Sequence, residues 1–333
     1  MKTRYLILAV TSRCNLRCSY CYLGAGGHRD MPDRVLERAL DLVAAASGPR
    51  HVQITGGEPT LVPEKIRRIG QRCRQMACPP SVAIQTNATL LTEELVGILR
   101  SFRIRVGVSL DGTPEIQERL RGGADQALRG LALLDSHGIP FRVTTVVSAE
   151  NVLFLDRLAL MLAGYAHCRG IGLDLLVAKG RAQEGGIRPP SPAALRQGVA
   201  RLAAVLDMVN QGRRVPVALR ELDLLRDKRR PDNKQQPFCH AAVGQSLAVT
   251  PQGELYPCGQ TMYDPFFSLG TLDAPRPAAG KPLTAIRLSS AECGVCAIAS
   301  RCPGDCPSRG HYSPAARPLA CELYRALAGS AAG

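Results

Sequence analysis

Cys14, Cys18 and Cys21 stand in Thr-Ser-Arg-Cys-Asn-Leu-Arg-Cys-Ser-Tyr-Cys, a C-x3-C-x2-C run directly after an apolar stretch near the N-terminus. Three thiolates this close can hold three irons of a [4Fe–4S] cluster and leave the fourth iron without a protein ligand. An iron left open in this way can bind a small molecule and pass it an electron. The spacing alone also suits a zinc site or buried structural thiols.

Further residues with chemical potential follow later apolar runs. Gly56-Gly57-Glu58-Pro59-Thr60 closes the second run. Glycine permits close approach of the backbone to a ligand, and the Glu58 carboxylate can accept from an ammonium group. Thr86 and Asn87 end the third run and read either as groups facing a shared opening or as an Asx turn. Ser109-Leu110-Asp111-Gly112 ends the fourth, as a ligand contact or as a turn with Asp111 capping a helix. Tyr20, between the last two cysteines, reads as a ring against a ligand or as core.

A second cysteine group is Cys239-x13-Gly253-x4-Cys258, then Cys293-x2-Cys296-x5-Cys302-x3-Cys306, then Cys321: seven cysteines in fewer than ninety residues. Zinc ribbons and iron–sulfur clusters both use such pairs. Cys73, Cys78 and Cys168 match no ligand pattern and read as structural or incidental.

These groups must be positioned by regular elements. Apolar runs predict strands at Tyr5–Val10, His51–Thr55, Ser81–Gln85, Arg103–Ser109, Phe141–Val147 and Ile171–Leu176. Amphipathic segments predict helices at Asp33–Ala46, Glu64–Gln75, Thr92–Ser101, Asp125–His137, Leu153–Ala163 and Pro192–Asn210. In the first of these, Val35, Leu36, Ala39, Leu42 and Val43 form the apolar face. Strand–helix alternation indicates an α/β fold with a parallel sheet and outer helices, a partial (β/α)6 TIM-type barrel with its chemistry at the C-terminal mouth of the strands. The expected division is residues 1–212 for this barrel, 213–237 for a bridging helix (Val217–Lys228) and a polar, Pro-bounded linker, and 238–333 for a small cysteine-rich domain whose stability depends on bound metal.

The cysteine run with Tyr20 between its last two members, at the end of a first strand, resembles the signature of radical S-adenosylmethionine (SAM) enzymes. That resemblance implies that the open iron chelates the amino and carboxylate groups of SAM. Reduction then yields methionine and a 5′-deoxyadenosyl radical, which removes hydrogen from unactivated C–H bonds. By the same resemblance Gly56, Gly57, Glu58 and Pro59 form the motif that binds the methionyl amine. Ser109 and Asp111 lie in the ribose- and methionine-contacting segment, Asn87 faces the same mouth, and Tyr20 lies near adenine.

The C-terminal cysteines resemble the SPASM domain, which carries two auxiliary [4Fe–4S] clusters. The family pattern assigns Cys239, Cys258 and Cys306 to one and Cys293, Cys296, Cys302 and Cys321 to the other, giving three clusters in all. Two departures matter. No additional cysteine lies between Cys239 and Cys258, so that cluster has an open iron or a non-cysteine ligand such as the adjacent His240. And Gly259 stands where sulfatase-maturing relatives carry an Asp base, which disfavours that reaction.

The resemblance implies an oxidoreductase acting on a ribosomally made peptide, by thioether or carbon–carbon crosslinking or by oxidative decarboxylation. A small-molecule dehydrogenase or tetrapyrrole side-chain decarboxylase is the first alternative, and a non-enzymatic metal- or nucleic-acid-binding protein the second. Expected partners are an electron donor of flavodoxin or ferredoxin type and a separate peptide-recognition protein, because the chain opens at its first strand without an appended recognition domain.

The 333 residues contain no apolar run long enough to span a membrane and no signal sequence, so a reducing cytoplasmic location is expected, in keeping with ten of the thirteen cysteines being spaced as metal ligands. Net charge is +14, with basic runs at Arg67-Arg68, Arg213-Arg214 and Arg226-Asp227-Lys228-Arg229-Arg230. These favour an acidic peptide or another polyanion, or form a solvated basic surface.

Overall fold

Alternate residues of the early strands are buried to different depths. In β1 (Tyr5–Ala9) Leu6 and Leu8 are fully buried and Tyr5 and Ile7 half-buried, and in β2 (His51–Thr55) Val52 and Ile54 alternate with His51, Gln53 and Thr55 in the same way. This period of two places one set under the helices and the other on the opposite, inner face of the sheet. The pattern continues in β3 (Ser81–Thr86), β4 (Arg105–Ser109) and β5 (Phe141–Val147). In β6 (Cys168–Leu175) it gives way to a fully buried stretch through Leu173. The computed structural model describes residues 3–24, 28–45, 50–184, 186–226, 238–276, 282–286 and 291–330.

Strands β1 to β6 pair in sequence order, all parallel, in register such as Leu6↔Val52 and Val143↔Ile171. The connections are α1 (Asp33–Ala44), α2 (Pro63–Arg74), α3 (Glu93–Ser101), the pair α4 (Pro114–Leu120) and α5 (Ala124–Ser136), and α6 (Leu155–Ala163). A short α7 (Arg181–Glu184) and the long α8 (Pro192–Asn210) follow β6. The expected strands and helices are present with ends shifted by up to three residues. Helix α4 was not expected. In α1 the buried face is Leu36, Ala39, Leu40 and Val43. Leu42, expected on that face, is exposed, because a helical turn carries Leu40 inward instead.

The sheet continues past residue 212. β7 (Ala218–Leu219) pairs with β6, and the expected Val217–Lys228 helix starts three residues later, as α9 (Arg220–Arg226). At the other edge, β8 (Ser246–Val249) runs parallel to β1 (Tyr5↔Ser246), and β9 (Leu255–Tyr256) returns antiparallel to it. The linker at residues 230–237, the end of the expected helix at residues 227–228 and most of the Arg226–Arg230 basic run lie outside the described residues.

After α10 (Pro282–Ala285) and α11 (Pro307–Tyr312), α12 (Pro318–Ser330) packs on α8 and α9 and brings Leu319, Leu323, Tyr324 and Leu327 into the main core. The cysteine-rich region therefore shares the barrel's core as well as its sheet. A second apolar cluster joins Ala9 to Ala248, Tyr256, Met262 and Phe267.

One basic run and half of another are engaged within the fold. Arg67 pairs with Glu64 and Glu94, and Arg68 with Asp33 and Glu37. Arg213 donates to the carbonyls of Ala163 and Tyr165.

Candidate active site

The segment after β1 is held at several points. Thr11 Oγ1 donates to Asp30 Oδ1 at 2.6 Å, and Arg13 grips the same carboxylate with two bonds, at 2.9 and 2.7 Å. Asn15 accepts from Asn87 Nδ2 at 3.0 Å and donates to Thr89 Oγ1 at 2.8 Å, tying the segment to the end of β3. Ser19 N–H donates to the Leu120 carbonyl at the end of α4. From the loop after β6, Arg181 donates its backbone N–H to Cys21 O at 3.0 Å and its Nε to Cys18 O at 2.9 Å. Cys14, Cys18 and Cys21 are thus presented on one loop fixed to three strand or helix ends. Burial pushes the Cys18 thiol up to about 11 and also raises Cys14. A metal bound at the site would favour their thiolate forms.

Gly56 and Gly57 approach this same loop rather than open space. Gly57 N–H donates to Thr11 O at 2.9 Å, and Glu58 N–H to Arg13 O at 2.8 Å. A Cβ on Gly57 would lie 2.1 Å from the Arg13 carbonyl oxygen, and one on Gly56, whose φ is +144°, would lie 2.3 Å from Thr11 O. Both positions exclude any side chain.

Glu58 is buried. Its Oε1 accepts from Thr60 N at 3.1 Å, Thr60 Oγ1 at 2.6 Å and Thr86 Oγ1 at 2.6 Å, and its Oε2 accepts from Asn87 N at 2.7 Å. Burial raises its pKa, against the pull of these donors. Oε2 keeps a lone pair for one further donor. Pro59 is buried and opens the turn that carries Thr60.

Tyr20, Asp111 and Arg121 form a buried network that the sequence did not reveal. Tyr20 O–H donates to Asp111 Oδ2, Arg121 Nη1 donates to the Tyr20 oxygen, and Arg121 stands 3.7 Å from the same carboxylate. Asp111 Oδ1 accepts from Val146 N at 2.9 Å. Asp111 is wholly buried and caps no helix, since Thr113 precedes α4. Burial raises the Tyr20 phenol well above its usual value. Ser109, by contrast, faces inward and accepts from Gln85 Nε2 at 2.9 Å.

The C-terminal cysteines gather in two groups. Burial pushes Cys306 up to about 12, with Cys258 and Cys239 as neighbouring charges. Cys321 has Cys302, Cys293 and Cys296 as its neighbours. In the second group Cys296 is lowered, because the Ile298 N–H and the Arg325 guanidinium favour its thiolate. Among the described residues no three His, Cys, Asp or Glu side chains are spaced for one metal ion.

The first group lies at the far end of β1. Cys239 precedes β8 and Cys258 follows β9, so the register places both toward Tyr5 and away from the Cys14–Cys21 loop. The length of β1, at about 3.3 Å per residue, sets a separation on the order of 15 Å. Between them is Tyr22, near both Cys21 and Cys258, with its hydroxyl oxygen 3.9 Å from where a Cβ on Gly259 would stand. Asp174 lies on the inner face of β6, half-exposed and paired with Arg220 at 2.8 Å. Lys179 donates to the Gln260 and Met262 carbonyls, each at 2.7 Å. His240 stacks on Tyr5, exposed, with ring centroids 5.5 Å apart. Gln260 Oε1 is 3.7 Å from Cys306 Sγ. Tyr22 was signalled only by adjacency to Cys21, and Asp174 and Lys179 only by their place at the end of a sixth strand. Cys73 and Cys168 are buried, Cys78 is exposed, and none joins either group.

The radical SAM superfamily profile matches residues 8–152. An uncharacterized protein of Methanocaldococcus jannaschii is 31% identical over 263 residues, covering 77% of this chain and 84% of its own length. The chain belongs to the radical SAM superfamily. Over 96% of its length this radical SAM enzyme is also 27% identical to the serine-type anaerobic sulfatase-maturating enzyme of Klebsiella aerogenes, of which it covers 82%. The structure of anSMEcpe with bound AdoMet superposes with a TM-score of 0.78 at 21% identity, over 98% of this chain and 96% of that one. Streptococcus suis SuiB bound to S-adenosylmethionine gives 0.66 at 17% identity, over 91% and 73%. The fold, including the cysteine-rich C-terminal region, is thus that of these SPASM-containing proteins.

Membership implies a [4Fe–4S] cluster and SAM. The donor set fits them: three thiols on one pinned loop, and beside that loop a carboxylate with a vacant acceptor position. No helix among the described residues is long and apolar enough to cross a membrane.

Proposed function

We propose that this radical SAM enzyme oxidatively modifies a ribosomally made peptide. Cys14, Cys18 and Cys21 would hold the SAM cluster, with Glu58 Oε2 accepting from the methionyl ammonium. Cys239, Cys258 and Cys306 would hold one auxiliary [4Fe–4S] cluster, and Cys293, Cys296, Cys302 and Cys321 a second. The observation that carries this reading is the placement of the first C-terminal thiol group at the opposite end of β1 from the SAM loop, on the same inner face. A substrate between them meets a hydrogen-abstracting centre at one end and a redox centre at the other. With cluster and SAM bound, the site supplies a 5′-deoxyadenosyl radical that takes hydrogen from a C–H bond.

The residues present define the rest. Tyr20, Asp111 and Arg121 hold the loop and keep water from it. Asp174, open to the inner face, is placed to receive the proton that an oxidised substrate must lose. Gly259 supplies no carboxylate, which directs the reading away from sulfatase maturation and toward a thioether or carbon–carbon crosslink, or oxidative decarboxylation. The Klebsiella relative is named for maturing a sulfatase, and the structures of anSMEcpe with Cp18Cys peptide and of SuiB with precursor peptide SuiA hold peptides. These support a peptide here. A flavodoxin- or ferredoxin-type donor would supply electrons, and a separate recognition protein would deliver the peptide.

The test is anaerobic reconstitution followed by incubation with SAM, dithionite and the short peptides encoded beside the gene, read by mass spectrometry. Loss of two hydrogens is expected for a crosslink, and loss of carbon dioxide together with two hydrogens for oxidative decarboxylation. SAM cleavage with no change in any such peptide would refute the peptide assignment.

A further inference from the structure

A groove of about 430 Å³ opens between the loop after β6 and the junction of α11 with α12. Leu176, Ala182 and Ile187 form one wall, and Tyr312, Ala315 and Leu319 the other; five prolines complete the lining. None of the lining side chains is charged. The polar groups present are already engaged: Tyr312 O–H donates to Asp264 Oδ2 at 2.6 Å, and Ser313 Oγ accepts from Ala178 N at 2.8 Å. A charged or strongly polar ligand would be desolvated there without a partner.

The groove wall is packed against the candidate active site. Ala182 directly follows Arg181, the residue bonded to the carbonyls of Cys18 and Cys21. Leu176, Ala182 and Ile187 pack in the same apolar cluster as Cys18, Tyr20 and Cys21. On the other side, the Tyr312 ring lies 5.3 Å from Lys179 Nζ, whose partners are the carbonyls just beyond Cys258. One wall of the groove is thus tied by packing to the Cys14–Cys21 loop and the other, through Lys179, to the turn after Cys258.

We propose that this groove binds a bulky apolar side chain of the peptide substrate, a few residues from the position that reacts. The proposal rests on the peptide reading above and deepens it. Prolines have no backbone N–H, so this wall cannot hold a peptide by a strand-like ladder. Recognition is by burial of a side chain against a preformed rigid surface, which costs little ordering on the protein side. The substrate class is accordingly a peptide with Leu, Ile, Met or an aromatic residue near its modified position.

The experiment uses the reconstituted full chain and whichever neighbouring peptide the wild type modifies. Ala315 is exposed on the groove wall, so Ala315→Phe fills the groove without disturbing the core, and Ala315→Ser serves as the conservative control. Each bulky apolar residue of the peptide is replaced in turn by Ser, and affinity is read by fluorescence anisotropy beside KM and kcat. One peptide position should lose about ten- to a hundredfold in affinity with the wild type, the worth of burying one such side chain. Ala315→Phe should lose a similar factor for the unaltered peptide and show no further loss for that substituted peptide. The loss should appear in KM, with iron content and peptide-independent SAM cleavage unchanged and Ala315→Ser behaving as wild type.

Equal affinity of Ala315→Phe and wild type for the unaltered peptide would overturn the proposal while leaving the peptide reading intact. A changed oligomeric state of Ala315→Phe with unchanged peptide affinity would also overturn it, and would assign the groove to a second copy. If the wild type modifies no peptide, the reading itself fails and this proposal with it.

Discussion

Gly57→Ala separates a structural from a ligand-contacting role for the glycine pair. The added carbon would sit 2.1 Å from Arg13 O, 2.5 Å from Arg13 C and 3.0 Å from Cys14 N, all backbone atoms that cannot rotate away. Relieving the contact moves the Arg13 peptide by about 1 Å, a shift that elsewhere in catalysis costs about a hundredfold in rate. It also strains two hydrogen bonds, Gly57 N to Thr11 O and Glu58 N to Arg13 O. Overpacking costs about 1–3 kcal/mol and each bond about 0.5–1.5 kcal/mol, so roughly 2–6 kcal/mol falls on the segment carrying Cys14. The fold should survive, since the rest of the sheet and core is untouched. Iron bound at Cys14, Cys18 and Cys21 should be lost, and SAM cleavage with it. Iron and sulfide analysis after anaerobic reconstitution, with visible absorption and 5′-deoxyadenosine release, reads both effects. Gly97→Ala is the control: it lies exposed in α3 with nothing within 4 Å of a new Cβ, and should bind iron as wild type. A Gly57→Ala protein with full iron content and normal SAM cleavage would refute the reasoning.

Replacing Cys14, Cys18 and Cys21 together by Ala should remove about four of roughly twelve irons, with the remainder lost only on changing the C-terminal cysteines; zinc in place of iron in the native protein would sink the three-cluster assignment. Glu58→Ala should weaken SAM binding about tenfold or more by equilibrium dialysis and also lower stability, because the N–H groups of Thr60 and Asn87 lose their buried acceptor. In the apoprotein the raised pKa of Glu58 makes its contribution to stability full below the unperturbed 4.5 and lost as pH rises through the folded value; Glu58→Gln should lack that decline in a melting series from mildly acidic to neutral pH. Asp111→Asn leaves the buried Arg121 guanidinium without its carboxylate and should cost about 3–5 kcal/mol in denaturant unfolding. If the first auxiliary cluster keeps an open iron, a Cys-containing substrate should perturb its electron paramagnetic resonance in the Cys14/Cys18/Cys21→Ala variant, and the Cys→Ser peptide should perturb it less; no change with a peptide shown to bind would eliminate direct ligation.

The alternation of apolar residues made the first six strands legible, because each buries one face under a helix for five or more residues. β7, β8 and β9 were not legible: with two to four residues each, they are too short to show a period, and β8 is buried on both faces. Helix α4 was hidden by its length of about two turns between the Asp111-Gly112 turn and the Gly122-Gly123 turn. At the site, residue type and spacing identified the cysteines and Glu58, whose chemistry is intrinsic. The roles of Tyr20 and Asp111 depended on a partner, Arg121, a hundred residues from Tyr20 in sequence. No local pattern marks that Arg as a buried cation. Gly56 and Gly57 were legible as close-approach positions, but what they approach, the Thr11–Cys14 backbone, is fixed only by the pairing of β1 with β2.

The pairing of β8 with β1 has the largest consequence for chemistry. Without β8, β1 would be a free sheet edge with unpaired backbone groups. With it, the C-terminal chain is locked to the strand that ends in the SAM loop, and Cys239 and Cys258 are delivered to that strand's other end. The distance between the two thiol groups is then set by a rigid strand and not by a linker. Gln53, Gln85, Ser109 and Thr144 are the alternate, half-buried residues of their strands on the inner face, with Asp174 half-exposed on β6, while an apolar groove lies by Tyr312. A peptide, with a polar backbone and apolar side chains on one flank, matches this arrangement on both counts. That match supports the proposed peptide substrate over the small-molecule alternative.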